Sequence, residues 1–255
     1  MRTISAALAI CAALATSAYA QPAAPAKRAR VMAAPPKILG FVRQTLKRGA
    51  AAAYAGIETS IALRYHQARI PLYWVCLQSS KSPEDILYLN VYDNPNGPDR
   101  AAATYQSMVP KHQDLVRLQQ RLQALNATPP TTSVTARRDE FVYSSKRDVG
   151  LATMGALRVT VFHVKAGHEG DFVDAAQMGR AVPWLLYEDT ASPTFFLVVP
   201  LRTPSDRRDA GLPRGLRQVK AIYTADTPVV YVLRPAMSHA PPEYVAANAR
   251  LRKTP

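Results

Sequence analysis

Apolar and polar positions along this 255-residue chain follow an order of strand and helix patterns that occurs twice. Lys37 to Leu46 reads as a strand, and Gly49 to Gln67 as a helix on which Tyr54, Ile57, Ile61 and Tyr65 share one face. Two strands come next, Leu72 to Gln78 and Ile86 to Tyr92, joined by the turn-forming run Ser79-Ser80-Lys81-Ser82-Pro83. Asp93-Asn94-Pro95-Asn96-Gly97-Pro98 then opens a long helix. Leu115, Leu118, Leu122 and Leu125 stripe its second half, and Pro110 breaks or kinks it. A strand from about Thr132 to Phe141 closes the first pass: strand, helix, strand, strand, helix, strand.

The second pass is shorter. Leu157 to Val164 is a strand, His168 to Gly179 a short helix, and Trp184 to Glu188 with Thr194 to Val199 a hairpin. A poorly formed helical region from Ser205 to Thr224, interrupted by Pro213, precedes the strand Pro228 to Arg234. Matching markers tie the two passes together. Leu46-Lys47-Arg48-Gly49 answers to Val164-Lys165-Ala166-Gly167, with Tyr54 and Phe172 five residues beyond each glycine. Ser82-Pro83 answers to Ser192-Pro193, and Arg138 to Arg234. The spacing shrinks from 118 residues at the glycines to 96 at the arginines, so the second copy has the shorter helices.

Each copy predicts two helices on one face of a four-stranded antiparallel sheet. The strands, Leu87-Tyr88-Leu89-Asn90-Val91-Tyr92 for example, are largely apolar on both parities, so both faces need cover. The predicted fold class is therefore α+β, with two ferredoxin-like βαββαβ repeats packed sheet to sheet. The boundaries read as an export signal over 1–20, a disordered linker over 21–36, a first repeat over 37–145, a second, shorter repeat over 146–240 and a helical tail over 241–255.

The export signal rests on Arg2, the apolar run Ile4 to Ala15 and the small-x-small pattern Ala18-Tyr19-Ala20, with cleavage expected near Ala20. That places the mature protein in the periplasm or outside the cell. No later segment is apolar enough to span a bilayer. Of the two cysteines, Cys11 and Cys76, the second lies in an apolar strand and reads as a buried small hydrophobe. The formal net charge of +14 is spread along the chain. Spread charge favours adhesion to anionic envelope surfaces over nucleic-acid binding, for which there is neither a recognition helix nor an aromatic platform.

These tandem units, with Gly49 and Gly167 starting helices and the two Ser-Pro hairpins, resemble the dimeric α/β-barrel superfamily fused as an internal repeat. The run Arg234-Pro235-Ala236-Met237-Ser238-His239 further resembles uncharacterised exported bacterial proteins of that build. The resemblance implies a pseudo-dimeric barrel, present as a monomer or homodimer. It also implies a range of chemistries, from cofactor-independent monooxygenases and isomerases to haem-handling enzymes and proteins without activity. None of those families' catalytic sets can be placed on this chain residue by residue, so the cofactor stays unknown.

Candidate chemistry is sparse. Five histidines show no metal-ligand spacing, and no metal site is expected. His163, in the apolar strand Val159-Thr160-Val161-Phe162-His163-Val164, is a candidate general base or haem ligand, its counterpart in the first repeat being Thr45. Glu188 is a candidate proton carrier if buried and inert if solvated. Trp74, Tyr88 and Tyr187, with Tyr92 and Trp184 nearby in the strands, are candidate ligand-binding aromatics. Arg138 and Arg234 suit either an anion between the halves or loop carbonyls and carboxylates. The reading is a soluble exported protein that binds a small apolar or aromatic ligand or whose barrel is purely structural. A monooxygenase or isomerase using His163, with its site in the second repeat, is one alternative, and an envelope-associated basic protein the other.

Overall fold

The computed structural model describes residues 35–139, 150–178, 184–206 and 212–240. The predicted export signal, most of the predicted linker, the predicted boundary between repeats and the C-terminal tail lie outside these residues. The first repeat runs β1 (Ile38–Thr45), α1 (Ala51–Gln67), β2 (Val75–Ser79), β3 (Asp85–Tyr92), α2 (Gly97–Met108), α3 (Gln113–Gln123) and β4 (Thr131–Arg137). The second runs β5 (Ala156–Val164), α4 (Glu169–Gln177), β6 (Leu185–Asp189), β7 (Thr194–Leu201), β8 (Tyr223–Ala225) and β9 (Val229–Leu233). The predicted long helix divides at Val109-Pro110-Lys111, a single 3-10 turn, because proline cannot donate to the helical ladder. In the second repeat the equivalent described stretch holds only two 3-10 turns, Gly215–Arg217 and Lys220–Ile222.

Every pairing is antiparallel, and the order β1-β3-β2-β9-β5-β7-β6-β4 closes back on β1 as an eight-stranded barrel. The two sheets thus face each other and also join edge to edge. β2 pairs with β9 (Leu77 opposite Leu233), and β4 with β6 (Ala136 opposite Glu188). Closure leaves no free edge between the repeats. β8 pairs with the far end of β5, beyond β9, so the last predicted strand is met by a preceding three-residue piece.

Strand parity sorts the side chains. Leu39, Phe41, Leu77, Leu87, Leu89, Leu157, Val159, Tyr187, Val198 and Tyr231 point into the barrel and pack as one buried cluster. Phe41 stacks on Phe196 at 4.5 Å between ring centroids. The opposite parity faces the helices. In the second repeat Phe162, Phe172, Phe195, Leu186 and Leu197 form a largely apolar layer under α4, with Thr160 the buried polar residue on the same face of β5. In the first repeat Tyr54, Ile61 and Tyr65 of α1 and Leu115 and Leu122 of α3 cover Val42, Cys76, Ile86 and Tyr88. Gly49 and Gly167, with φ of +76° and +87°, make the same left-handed turn into α1 and α4, which is why each helix entry carries glycine. Among the described residues no helix is long and apolar enough to cross a membrane.

Candidate functional site

A cavity of about 280 Å³ opens between the outer face of the first repeat's sheet and its helices. Its floor is Gln44 of β1 and Tyr88 of β3, its back wall Glu58, Ile61 and Tyr65 of α1, and its roof Ala101, Thr104 and Tyr105 of α2. Tyr73 and Trp74 close one side, and Tyr92, Asp93 and Arg100 stand at the rim. The size suits a small flat molecule, and the walls are largely aromatic with a few converging polar groups.

Glu58 is the central polar residue. It falls four residues after Tyr54 and three before Ile61, on the same face of α1, and is 3% exposed. Burial raises its pKa to about 8, against the opposing effect of hydrogen bonding with Tyr88 and Trp74. Beside it the Tyr54 hydroxyl donates to Gln44 Oε1 at 2.5 Å and lies 2.5 Å from the Tyr88 hydroxyl. Burial pushes both phenols well above their ordinary pKa, so they stay protonated. Higher on the wall, Tyr105 donates to Gln119 Oε1 and Gln119 Nε2 donates to Tyr65, which fixes two of the aromatic rings.

Trp74 is positioned from the second repeat. The segment Arg234 to His239, which follows β9, crosses to the first repeat. There the Trp74 indole donates to the Met237 carbonyl at 2.9 Å, and the Cys76 amide to Ser238 Oγ. His239 packs among Tyr65, Tyr73 and Trp74, and burial lowers its pKa. Cys76 is fully buried behind this wall, where desolvation raises its thiol pKa and leaves it a packing residue.

The register of the barrel provides an internal comparison. β1 meets β3 with Gln44 opposite Ile86 and Val42 opposite Tyr88, while β5 meets β7 with Phe162 opposite Phe195 and Thr160 opposite Leu197. With the positive-φ glycines aligned, Gln44, Tyr54, Glu58 and Tyr88 correspond to Phe162, Phe172, Ala176 and Leu197. All four of the latter are buried in the apolar layer of the second repeat. The same fold is therefore built once with a polar set and once without. Four buried polar side chains are not what this fold needs to hold its helix on its sheet.

The sequence candidates divide. Trp74 and Tyr88 line the cavity. Tyr187 points into the barrel core, where its hydroxyl donates to the Pro36 carbonyl. His163 has barrel-facing parity but sits past the last interior residue of β5, its side chain 53% exposed and 3.5 Å from Asp226. Glu188 lies at the end of β6, bound by Arg138 at 2.7 Å. Arg234 donates to Gln78 rather than meeting Arg138 at a shared site. The cavity is in the first repeat, not the second. Glu58, Gln44 and Tyr54 complete a constellation for which the sequence held one clue, an acidic residue inside an apolar helical stripe.

Haem, one of the groups implied by the resemblance, does not fit this cavity. Its lining contains no histidine, cysteine or methionine to ligate iron, and its innermost phenol, Tyr88, is kept protonated by burial. Among the described residues no three His, Cys, Asp or Glu side chains converge as a metal site.

Neither the protein-family models nor the curated proteins contain a match to this chain. Solved structures do match it. An anthrone oxidase-like protein superposes over 82% of this chain and 96% of its own, with a TM-score of 0.50 at 11% identity. A mutant chlorite dismutase from Candidatus Nitrospira defluvii matches over 80% of this chain and 94% of its own, with a TM-score of 0.48 and 10% identity. An antibiotic biosynthesis monooxygenase matches 38% of this chain and 94% of its own at 16% identity, with a TM-score of 0.29. The likeness to the anthrone oxidase-like protein, at 11% identity, speaks to the arrangement of strands and helices, not to chemistry.

Proposed function

We propose that this chain, an internal duplication with the dimeric α/β-barrel fold, binds a flat, small aromatic molecule in the helix–sheet cavity of its first repeat. One observation carries this reading. The four polar residues around the cavity have apolar counterparts in the second repeat, where the same architecture is maintained without them. The barrel interior is left to structure, filled by the cluster around Phe41, Phe196 and Tyr187. The export signal expected at residues 1–20 supports a location in the periplasm or outside the cell.

The test is equilibrium dialysis with naphthalene as the probe, on the wild type and on Ala101→Phe, which fills the cavity from α2 without removing a polar group. The expected result is saturable binding by the wild type and a loss of at least about tenfold in the filled variant, a change of about 1.4 kcal/mol. Equal binding by the filled variant, or failure of naphthalene and its hydroxyl and methoxy derivatives alike to bind, would overturn the proposal.

An enzymatic reading, of the monooxygenase or isomerase type, gains support from Glu58 rather than from His163. A buried carboxyl with its pKa near 8, on a cavity wall, is placed to exchange a proton near neutral pH. His163, by contrast, is on the surface beside Asp226.

A further inference from the structure

The hydrogen-bond chain behind the cavity restricts what kind of ligand it can accept. Gln44 Oε1 is an acceptor, so it takes the single hydroxyl proton of Tyr54. The Tyr54 oxygen is then free to accept, and Tyr88, 2.5 Å away, spends its own proton there. Toward Glu58, Tyr88 offers only an oxygen, so a neutral Glu58 must place its proton on Tyr88. Its other oxygen, the carbonyl, remains an acceptor. If Glu58 loses the proton, the chain can run the other way, because the Gln44 amide, turned over, offers N–H groups in place of its oxygen. Glu58 then turns a carboxylate oxygen to the cavity. With Gln44 Oε1 accepting from Tyr54, as in this structure, neutral Glu58 presents an acceptor and no donor, and ionised Glu58 has no proton to give.

We propose that the first-repeat cavity selects aromatic molecules bearing a hydroxyl, with Glu58 as the oxygen that receives the hydroxyl's hydrogen bond and Tyr88, Tyr54 and Gln44 as the positioning residues that keep Glu58 an acceptor. The proposal rests on the cavity being a ligand site and adds the class of ligand, phenols and naphthols. Ketones and ethers of the same shape lack the donor and forgo this bond, leaving the Glu58 oxygen only the Trp74 indole, whose single N–H also serves the Met237 carbonyl.

The ionised form of Glu58 is the stronger acceptor, so affinity for a hydroxyl ligand rises as pH climbs toward and past Glu58's pKa of about 8. The other titratable groups around the cavity are Tyr54 and Tyr65 from α1, Cys76 from β2, Tyr88 and Tyr92 from β3, Asp93 and Arg100 at the rim, Tyr105 from α2, Tyr73, and His239 behind Trp74. Tyr54, Tyr88 and Cys76 are raised by burial, and His239 is lowered, so none of these four changes charge at the midpoint assigned to Glu58.

The experiment compares 2-naphthol, 2-methoxynaphthalene and naphthalene by equilibrium dialysis from pH 6 to 8.5. Wild type, Glu58→Leu and Glu58→Gln are used, each checked for folding by circular dichroism. The wild type is expected to bind 2-naphthol about tenfold more tightly than the other two, increasingly so with pH. Glu58→Leu should bind all three alike. Glu58→Gln, which still has an acceptor oxygen but cannot ionise, should keep the preference and lose its rise with pH. Equal binding of 2-naphthol and naphthalene by the wild type, or a preference that survives Glu58→Leu, would overturn the proposal and leave the cavity reading standing. Failure of all three probes would overturn both. Should Glu58→Leu not fold, a pH rise that persists in Glu58→Gln overturns the proposal by itself.

Discussion

Burying the Glu58 carboxyl has a consequence for stability that can be given a sign. The folded protein holds its proton up to pH about 8, whereas the unfolded chain releases it near the ordinary 4.5. Below 4.5 both states are protonated and the difference contributes nothing. Between 4.5 and 8 the folded state binds more protons than the unfolded one, so stability falls as pH rises, and above 8 the loss is complete. At about 1.4 kcal/mol per unit the full loss is at most about 5 kcal/mol. Urea midpoints of the wild type should therefore drop relative to those of Glu58→Gln between pH 5 and 8; parallel profiles would contradict the burial assigned to this side chain. Glu58 was partly legible in the sequence, since Tyr54, Ile57, Ile61 and Tyr65 defined an apolar stripe and Glu58 interrupts it. Its partners were not. Gln44 and Tyr88 lie on strands β1 and β3, and only the helix docking on the sheet brings them together. His163 shows the converse: its parity was readable, but its position past the end of the barrel interior was not.

At the scale of elements, the two helix entries, both hairpins and the break at Pro110 were readable because each is set locally, by glycine, Ser-Pro turns or a missing backbone donor. The two 3-10 turns in place of a second helix in the later repeat, and the short strand β8, depend on packing and were not. The start of α2 has its own constraint. A Cβ on Gly97 would stand 2.6 Å from Cβ of Tyr92, so glycine there lets the Tyr92 ring lie against the helix at the cavity rim. Gly97→Ala should displace Tyr92, lower stability by about 1–3 kcal/mol in urea unfolding and weaken naphthalene binding. Unchanged stability and binding would show that the rim adjusts without cost.

Across the whole molecule, duplication and closure divide the labour. Cross-repeat pairing of β2 with β9 and β4 with β6 makes the interior a shared apolar core. The outer faces under the helices are then free to differ, and they do: one is a largely apolar layer, the other surrounds a cavity with a buried acid. The pattern of repeats made the barrel foreseeable, but it pointed to the second repeat for chemistry, because parity says which residues share a face and not which face holds a space. The arginines and lysines behind the +14 net charge are spread along the chain, and the cavity takes only Arg100 from among them. The central claim is that one of the two repeats, the first, carries the ligand site. The most direct test is to measure nuclear Overhauser effects between 2-naphthol and the isotope-labelled protein. Contacts are expected to Ile61, Ala101 and Leu122; contacts instead to Val199 and Leu216 of the second repeat, or to Leu87 and Val159 inside the barrel, would rule out a first-repeat site.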